Sequence, residues 1–326
     1  MVVRVYLKQA WNLMKQNPLF STLYIVGTGI SIVMTMVIAI VYYVRLAPVY
    51  PETNRMRTLV VKSAKMTNDE STHSSNISYA MLKDWFYSLE SAEVSTGVSG
   101  TSYARVTNDK EEIPTYARYT DENFFRVFPL VFLEGKPFTE ADRRSGIHNV
   151  VLTDSYAQQL FGTTKGVVGK NFLMDYTNVK VVGVVKSGSF LTPDSYAQVY
   201  LPYSCRDGYD DEGSHWALGG YRVYILMKES KSVTDVQDEV LELVRKFNVS
   251  DMGDGWKLDL VGQPELYWHS TFRLWSNVAV DWGRVIWMFV GIFMVLLFVP
   301  AFNLSGMISA RMERQLPDLG IRKAFG

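Results

Sequence analysis

Charge is missing from two stretches of this chain, residues 19–44 and 285–310, each 26 residues long. A helix of that length covers ~39 Å, more than the ~30 Å hydrocarbon layer of a bilayer. Cysteine is almost missing too. Cys205 stands alone, so no internal disulfide can form, and the 240 residues between the uncharged runs must be held by burial, which a segment of that size can achieve. The four histidines, His73, His148, His215 and His269, show no HExxH or other ligand spacing, which argues against a metal site. A P-loop is lacking: the nearest look-alike, Gly162 to Lys170, has neither the GxxxxGK spacing nor the following hydroxyl that would meet magnesium. GxSxG and cysteine-protease patterns are absent. Carboxylates cluster in runs such as Asp210, Asp211 and Glu212, the pattern of a solvated turn. No basic groove interleaved with aromatics suggests nucleic acid. The expectation is a non-enzyme with no catalytic residue, cofactor or metal.

What is present is a charge layout. Residues 1–18 carry Arg4, Lys8 and Lys15 and no acid, for +3; residues 311–326 sum to +2; the middle, 45–284, balances at −5. Short basic flanks mark the cytoplasmic side, so both ends are expected inside and residues 45–284 outside. The first apolar run is too long for a signal-peptide core, and no A-x-A site follows before Pro48; it is expected to stay as an anchor. Residues 2–16 alternate at helical spacing, with Val3, Tyr6, Leu7, Trp11 and Met14 opposite Arg4, Lys8, Asn12 and Lys15, a pattern suited to lying on the inner membrane surface.

The middle reads as mixed α and β. Short strands are expected at Thr58–Lys62, Val94–Val98, Tyr103–Thr107, Ile113–Tyr119, Asn149–Leu152, Lys180–Val185, Gln198–Leu201, Tyr221–Met227 and Leu258–Val261. Helices are expected at Ser78–Leu89, after an Asp121 cap through Val127, at Asp154–Phe161 closed by Gly162, and at Ser232–Phe247 with Ser232 as cap. Strands and helices alternate early and late, which suggests βαβ units around a β-rich middle. After Pro264, Trp268, Phe272, Trp275, Val278 and Trp282 recur at steps of four and three. That spacing predicts an amphipathic stalk helix over 263–284; interfacial tryptophans on a packed helix are the alternative. Small residues recur every fourth position in both apolar runs, Gly27, Ser31, Thr35 and Ala39 in the first and Ala301, Ser305 and Ser309 in the second, which lets helices approach closely in lipid. Pro300 should kink the second run, and Asn303 should face protein.

The tail carries a family likeness. Glu313 and Arg314, then Asp318 through Gly326 (DLGIRKAFG), resemble the ER-x-x-E-(I/L)-G-x-(R/K)-(R/K)-A-x-G-A signature of FtsX-like, MacB-type ABC transporter permeases. The run from Asn17 to Ser31 looks like the opening of the same permeases, and Gly166–Lys170 with Val181–Lys186 is similar to the GK…VVGVV stretch of their periplasmic core domain. Two departures stand out: Pro317 replaces a helix-friendly residue, and Asp318 stands where Glu is usual. Pro is tolerated at a first helical position, so a helix is expected to start at Pro317.

The resemblance implies a membrane protein of the α+β class. Two transmembrane helices, 19–44 and 285–310, would flank a periplasmic domain, 45–262, with βαβ porter-like units and a β-rich inserted lobe; the stalk over 263–284, an amphipathic helix over 1–18 and a cytoplasmic coupling segment over 311–326 complete it. In this family the coupling segment docks on a cytoplasmic ABC ATPase dimer, a role that falls here on Glu313, Arg314, Asp318, Gly320, Arg322 and Lys323. Other implied partners are a second permease half or protomer and a periplasmic adaptor or outer-membrane component. Family permeases continue with at least two more spans, so an N-terminal portion is expected. The leading expectation is a multi-pass inner-membrane transporter subunit that passes the motion of its ATPase to a periplasmic domain. The alternative is a sensory receptor with a periplasmic ligand-binding domain, and a membrane-anchored enzyme is the weakest option. Peptide, antibiotic, lipoprotein and a purely signalling output all stay open as cargo.

Overall fold

A computed structural model describes residues 11–12, 15, 18–100, 102–108, 111–206, 208–210, 216–250, 255–298 and 301. The chain falls into two compact units, one made of residues 1–43 with 281–326 and the other of residues 44–280. The first holds most of α1 (Pro18–Leu46), whose segment Ile25–Leu46 includes an 18-residue stretch of mean hydropathy 2.3. Among the described residues this is the one helix long and apolar enough to cross a bilayer.

The second unit begins with β1 (Thr58–Val61), β2 (Ala64–Thr67), β3 (Thr72–Ile77), α2 (Tyr79–Asp84) and β4 (Ala92–Ser99). Next come β5 (Ser102–Asn108), β6 (Glu111–Thr120), α3 (Phe124–Val127), β7 (Phe132–Gly135), α4 (Glu140–Arg144), β8 (Asn149–Thr153) and α5 (Asp154–Phe161). Then follow β9 (Asn171–Met174), β10 (Thr177–Val185), β11 (Val199–Pro202), β12 (Leu218–Gly219), β13 (Tyr221–Met227), α6 (Val233–Val249), β14 (Lys257–Asp259) and β15 (Glu265–Leu266). The last described helix, α7 (Trp282–Phe298), returns to the first unit and is apolar.

Six of these elements form a recognisable half. β1, α2, β4, β13, α6 and β15 follow one another as β-α-β-β-α-β, and the strands lie side by side as β15-β1-β13-β4, each pair antiparallel. This is the split βαβ, ferredoxin-like arrangement. Helices α2 and α6 cover one face, burying Met81, Leu82, Val236, Val240 and Phe247 against Leu59, Val61, Val223 and Ile225. The opposite face is covered as well, by Phe124, Phe128 and Tyr200 against Val60, Val98 and Tyr224. With both faces buried, β1 and β13 carry apolar residues without alternation, as such strands do. Gly97 lets α2 approach β4: a Cβ there would lie 2.2 Å from the Leu82 side chain.

Everything from residue 100 to 220 is inserted between β4 and β13. In this lobe β8 and β10 run parallel with α5 between them, and β5–β6 and β9–β10 are antiparallel hairpins that meet edge to edge. Helix α5 starts at Thr153, whose side chain accepts from the Tyr156 amide, and ends at Gly162 with φ +70. Gly is the residue that tolerates this left-handed cap. Among the described residues the lobe joins the ferredoxin-like sheet through one ladder pair, Val98 with Thr120.

The expected stalk helix does not form. Residues 265–266 pair with β1, a 3-10 turn covers His269–Phe272, and helix resumes at Trp282. Arg273 explains the break: it is paired with Glu265 at 2.7 Å and donates to the carbonyls of Val261 and Val278 at 3.3 and 2.5 Å. Those bonds hold the backbone in a loop, although its aromatic spacing is helical. The calls on residues 2–10, Pro300, Asn303, Ser305, Ser309 and the coupling residues Glu313, Arg314, Asp318, Gly320, Arg322 and Lys323 lie outside the described residues.

Candidate functional site: a buried ionic junction at the entry and exit of the core domain

Six residues after α1 ends, the chain places a carboxylate in the interior. Glu52 is 1% exposed. One of its oxygens accepts from Ser195 Oγ at 2.7 Å and from the Tyr267 hydroxyl at 2.9 Å, and the other is paired with Arg55. Three distant segments meet at this side chain: the exit from α1, the 192–196 loop of the lobe, and the turn that follows β15. The Arg55 guanidinium lies 4.9 Å from the centre of the Tyr267 ring, a cation–π arrangement that gains in strength when dehydrated. Burial pushes the Glu52 pKa up against the opposing pull of the Arg55 charge and the Ser195 hydrogen bond.

A second carboxylate sits beside it. Asp194 is bridged by Lys62 at 3.1 Å and by Arg222 at 3.0 Å. Burial alone would raise its pKa, but the charges of Lys62, Arg222 and Arg118 outweigh burial and hold it well below the usual carboxylate range. Arg118 is 1% exposed and donates to the carbonyls of Pro193 and Tyr196 at 2.7 and 3.0 Å, which fixes the loop that carries Asp194 and Ser195. Gln263 closes the other side. It accepts from the Lys62 amide at 2.6 Å and donates to the carbonyls of Ser63 and Leu260 at 3.0 and 2.8 Å. The Glu265–Arg273 pair, also buried, continues the network toward α7. Nearly every charge here has a partner, the condition under which buried ions persist. The two hydroxyls that reach Glu52, from Ser195 and Tyr267, are themselves buried, so the junction is a closed joint between segments of the core domain.

Residues 20–243 match the family described as the MacB-like periplasmic core domain. The chain belongs to this family. It is 28% identical over 105 residues to the macrolide export ATP-binding/permease protein MacB of Shigella dysenteriae, an alignment covering 32% of this chain and 16% of that protein. It is 32% identical over 92 residues to the pyoverdine export ATP-binding/permease protein PvdT of Pseudomonas fluorescens, covering 28% and 14%. Against MacB of Escherichia coli O157:H7 it is 22% identical over 223 residues, covering 68% and 32%. The alignments span a third or less of these relatives' own lengths. Among solved structures, the periplasmic region of MacB from Actinobacillus actinomycetemcomitans aligns with a TM-score of 0.43 at 16% identity, over 61% of this chain and 88% of that one. A domain of a putative permease from Porphyromonas gingivalis aligns with a TM-score of 0.46 at 16% identity, over 63% and 88%.

This MacB-like core domain has a second buried carboxylate joint, between the lobe and the ferredoxin-like half. Asp121 is fully buried and accepts from Tyr87 (2.5 Å), Thr96 (2.6 Å), and the amides of Gly97 (2.9 Å) and Phe124 (3.1 Å). Burial pushes its pKa up to about 6, against the pull of those hydrogen bonds. The N-cap position of α3 falls on Asn123, not on Asp121 as expected; Asp121 instead accepts from the first helical amide, Phe124, and ties that helix to β4 and to the turn after α2.

The sequence-predicted packing residues fall as follows. Ser31 is buried and Gly27 half-buried, whereas Thr35 and Ala39 are exposed; the covered line on α1 continues instead through Ile38 and Tyr42, whose ring lies 5.0 Å from Phe289. Ser31 and Thr35 turn their hydroxyls back to the carbonyls of Gly27 and Ser31 at 3.0 and 2.7 Å, which satisfies them within the helix. Ala301 is exposed. Sequence reasoning missed Glu52, Arg55, Lys62, Arg118, Asp194, Arg222 and Tyr267. The available signal was a charge inside or bordering a β-branched strand, at Arg222 beside Val223 and at Lys62 after Val61.

Proposed function

We propose that this chain is the permease portion of a MacB-type ABC transporter, one that transmits motion between its membrane helices and its periplasmic core domain. Two spans, 19–44 and 285–310, cross the inner membrane and leave both ends of the segment cytoplasmic. ATP is hydrolysed by a separate cytoplasmic ATPase dimer, and this chain is not itself an enzyme. Glu313, Arg314, Asp318, Gly320, Arg322 and Lys323 form the element that docks on that ATPase, and a second permease protomer packs along the small-residue faces of the spans. The work done is export or extraction of a substrate outside the bilayer, in keeping with the export proteins it resembles. The observation that carries the reading is the Glu52 junction. It bonds the segment leaving α1, the segment approaching α7 and the lobe to one carboxylate, so a displacement of either chain end reaches the lobe through short, directional bonds.

The test uses the full transporter with its ATPase partner. Replacing Arg322 and Lys323 with Glu should abolish transport-linked ATP hydrolysis while insertion into the membrane persists. The pair Glu52→Gln with Tyr267→Phe should lower transport while ATP hydrolysis continues, the signature of uncoupling. Normal stimulation in the first variant, or unchanged transport in the second, would refute the reading.

A further inference from the structure

The segments that gather around residues 45–52 also expose large apolar side chains. Phe190 is 73% exposed, Trp275 65%, Leu274 64%, Val131 49% and Val278 47%. Residues so far apart in the sequence are brought together by specific bonds. The Tyr50 hydroxyl donates to the Lys186 carbonyl at 2.7 Å and accepts from the Val131 amide at 3.2 Å. Gly188, two residues before Phe190, has room for a Cβ only 3.2 Å from the Pro51 ring. Thr271, four residues before Trp275, donates to the carbonyl of Arg45 in the last turn of α1 at 3.4 Å. Ser63 donates to the Ser276 carbonyl.

Tether lengths limit where these side chains can be. Pro51 follows Leu46 by five residues, at most ~18 Å of chain, and Trp275 is at most ~14 Å of chain from Thr271, which is bonded to the end of α1. Each of these exposed residues lies at or within a few residues of a contact to the 45–63 segment, so apolar surface recurs along the stretch that follows α1. Its chemistry is that of a lipid–water boundary: Trp and Phe with aliphatic neighbours, and exposed cations close by at Arg45 and Lys186. The Lys186 ammonium lies 5.6 Å from the Tyr50 ring centre and the residue is exposed, so its charge can meet an anionic headgroup. Aromatic side chains concentrate at this boundary, and cations beside them favour anionic headgroups.

We infer that the core-domain surface that follows α1, carrying Phe190, Trp275, Leu274, Val131 and Lys186, rests in the outer-leaflet interface of the membrane that its own helices cross. The contact rests on the membrane placement in the proposed function and adds a docking surface outside the spans. It gives the lobe a footing on the bilayer through the 186–191 loop.

The experiment uses the full chain in nanodiscs of phosphatidylethanolamine and phosphatidylglycerol, with Cys205→Ser to remove the native thiol. Single variants Phe190→Cys, Trp275→Cys, Tyr176→Cys and Met34→Cys each carry an environment-sensitive fluorophore. Tyr176 is 85% exposed on the lobe and Met34 is an exposed residue of α1. Side chains held ~5–10 Å into the headgroup boundary should be quenched several-fold more by a shallow spin-labelled lipid at positions 190 and 275 than at 176. Position 34 should respond to a deep spin-labelled lipid. If 34 responds while 190 and 275 are quenched by aqueous iodide like 176, the footing is refuted and the membrane placement stands. If 190 and 275 resist both quenchers, a protein covers them and the lipid assignment fails. If 34 itself is reached only by iodide, the membrane placement fails first. The two sites are read separately, so a variant that does not fold leaves the other to decide.

Discussion

The ferredoxin-like half and the inserted lobe each pack a helix-covered sheet, whereas the layer between them is built of different material. In the lobe's own core two of sixteen buried side chains are aromatic, Tyr156 and Phe172. In the layer between the halves seven of sixteen are, among them Phe124, Phe128, Tyr200, Tyr224 and Tyr267. That layer is also flanked by the buried carboxylates Glu52, Asp121 and Asp194. Aliphatic packing is non-directional and tolerates small shifts. Edge-to-face rings, such as Phe128 on Tyr224 at 5.2 Å and 70°, and charge-assisted bonds fix orientation as well as distance. The contrast implies two compact halves held at a defined angle by a joint whose cost of distortion is high.

The largest expected effect comes from breaking the joint. Asp194→Ala removes the buried carboxylate that the partly exposed Lys62 and Arg222 both meet and should cost ~2–4 kcal/mol. In a domain of this size that lowers the melting temperature by ~4–16 °C, measurable by calorimetry. Hydrogen exchange should then accelerate around the 187–198 loop and in Tyr267 before it does so in α6; uniform acceleration would erase the distinction between joint and halves. Next in size is a change confined to the lobe. At Gly135, φ is +73 and a Cβ would lie 2.1 Å from the Val182 carbonyl oxygen. Gly135→Ala should therefore cost ~1–3 kcal/mol or more, with protection lost in β7 and β10 and kept in α6. A cost near zero by chemical denaturation would show that the hairpin yields freely.

Asp121→Asn tests the second joint at a similar or smaller cost, ~1–3 kcal/mol. One carboxyl oxygen accepts from the Gly97 amide and the other from the Phe124 amide, so an Asn must aim amide hydrogens at one of them. A pH signature accompanies the loss. The folded carboxyl titrates near pH 6, the unfolded one near ~3.9. The fold thus favours the protonated form: this contribution is complete below about pH 4 and is lost as pH rises through 6. Melting temperatures of Asp121→Asn should lack that part of the wild-type slope between pH 4 and 6; parallel profiles would assign the slope to other groups. The smallest effect belongs to the ferredoxin-like half alone. Ser232 and Asp235 form a reciprocal capping box at the start of α6. Ser232→Ala should cost ~1 kcal/mol and leave the lobe's exchange unchanged, while a loss of protection in the lobe would mean that α6 supports the joint.

Much of each half was legible in the chain itself. The stripe Val236, Val240, Val244, Phe247 behind a Ser cap marked α6, the β-branched run at 180–185 marked β10, and Asp154–Phe161 closed by Gly162 marked α5, because these elements are stabilised by residues three, four or two positions apart. The tail motif, with the opening and middle motifs, pointed to the family that residues 20–243 match. The joint was not legible. Glu52 meets Ser195 143 residues away and Tyr267 215 residues away, and no local period records such a pairing. For the same reason the aromatic spacing after Pro264 read as a helix: periodicity reports what a segment would form alone, whereas Glu265 on β15 and its ion pair with Arg273 outweigh that preference with bonds made across the fold. Local sequence thus determined the elements and their faces. Tertiary structure alone decided where the buried charges meet, because a charge is buried only where distant partners arrive together to satisfy it.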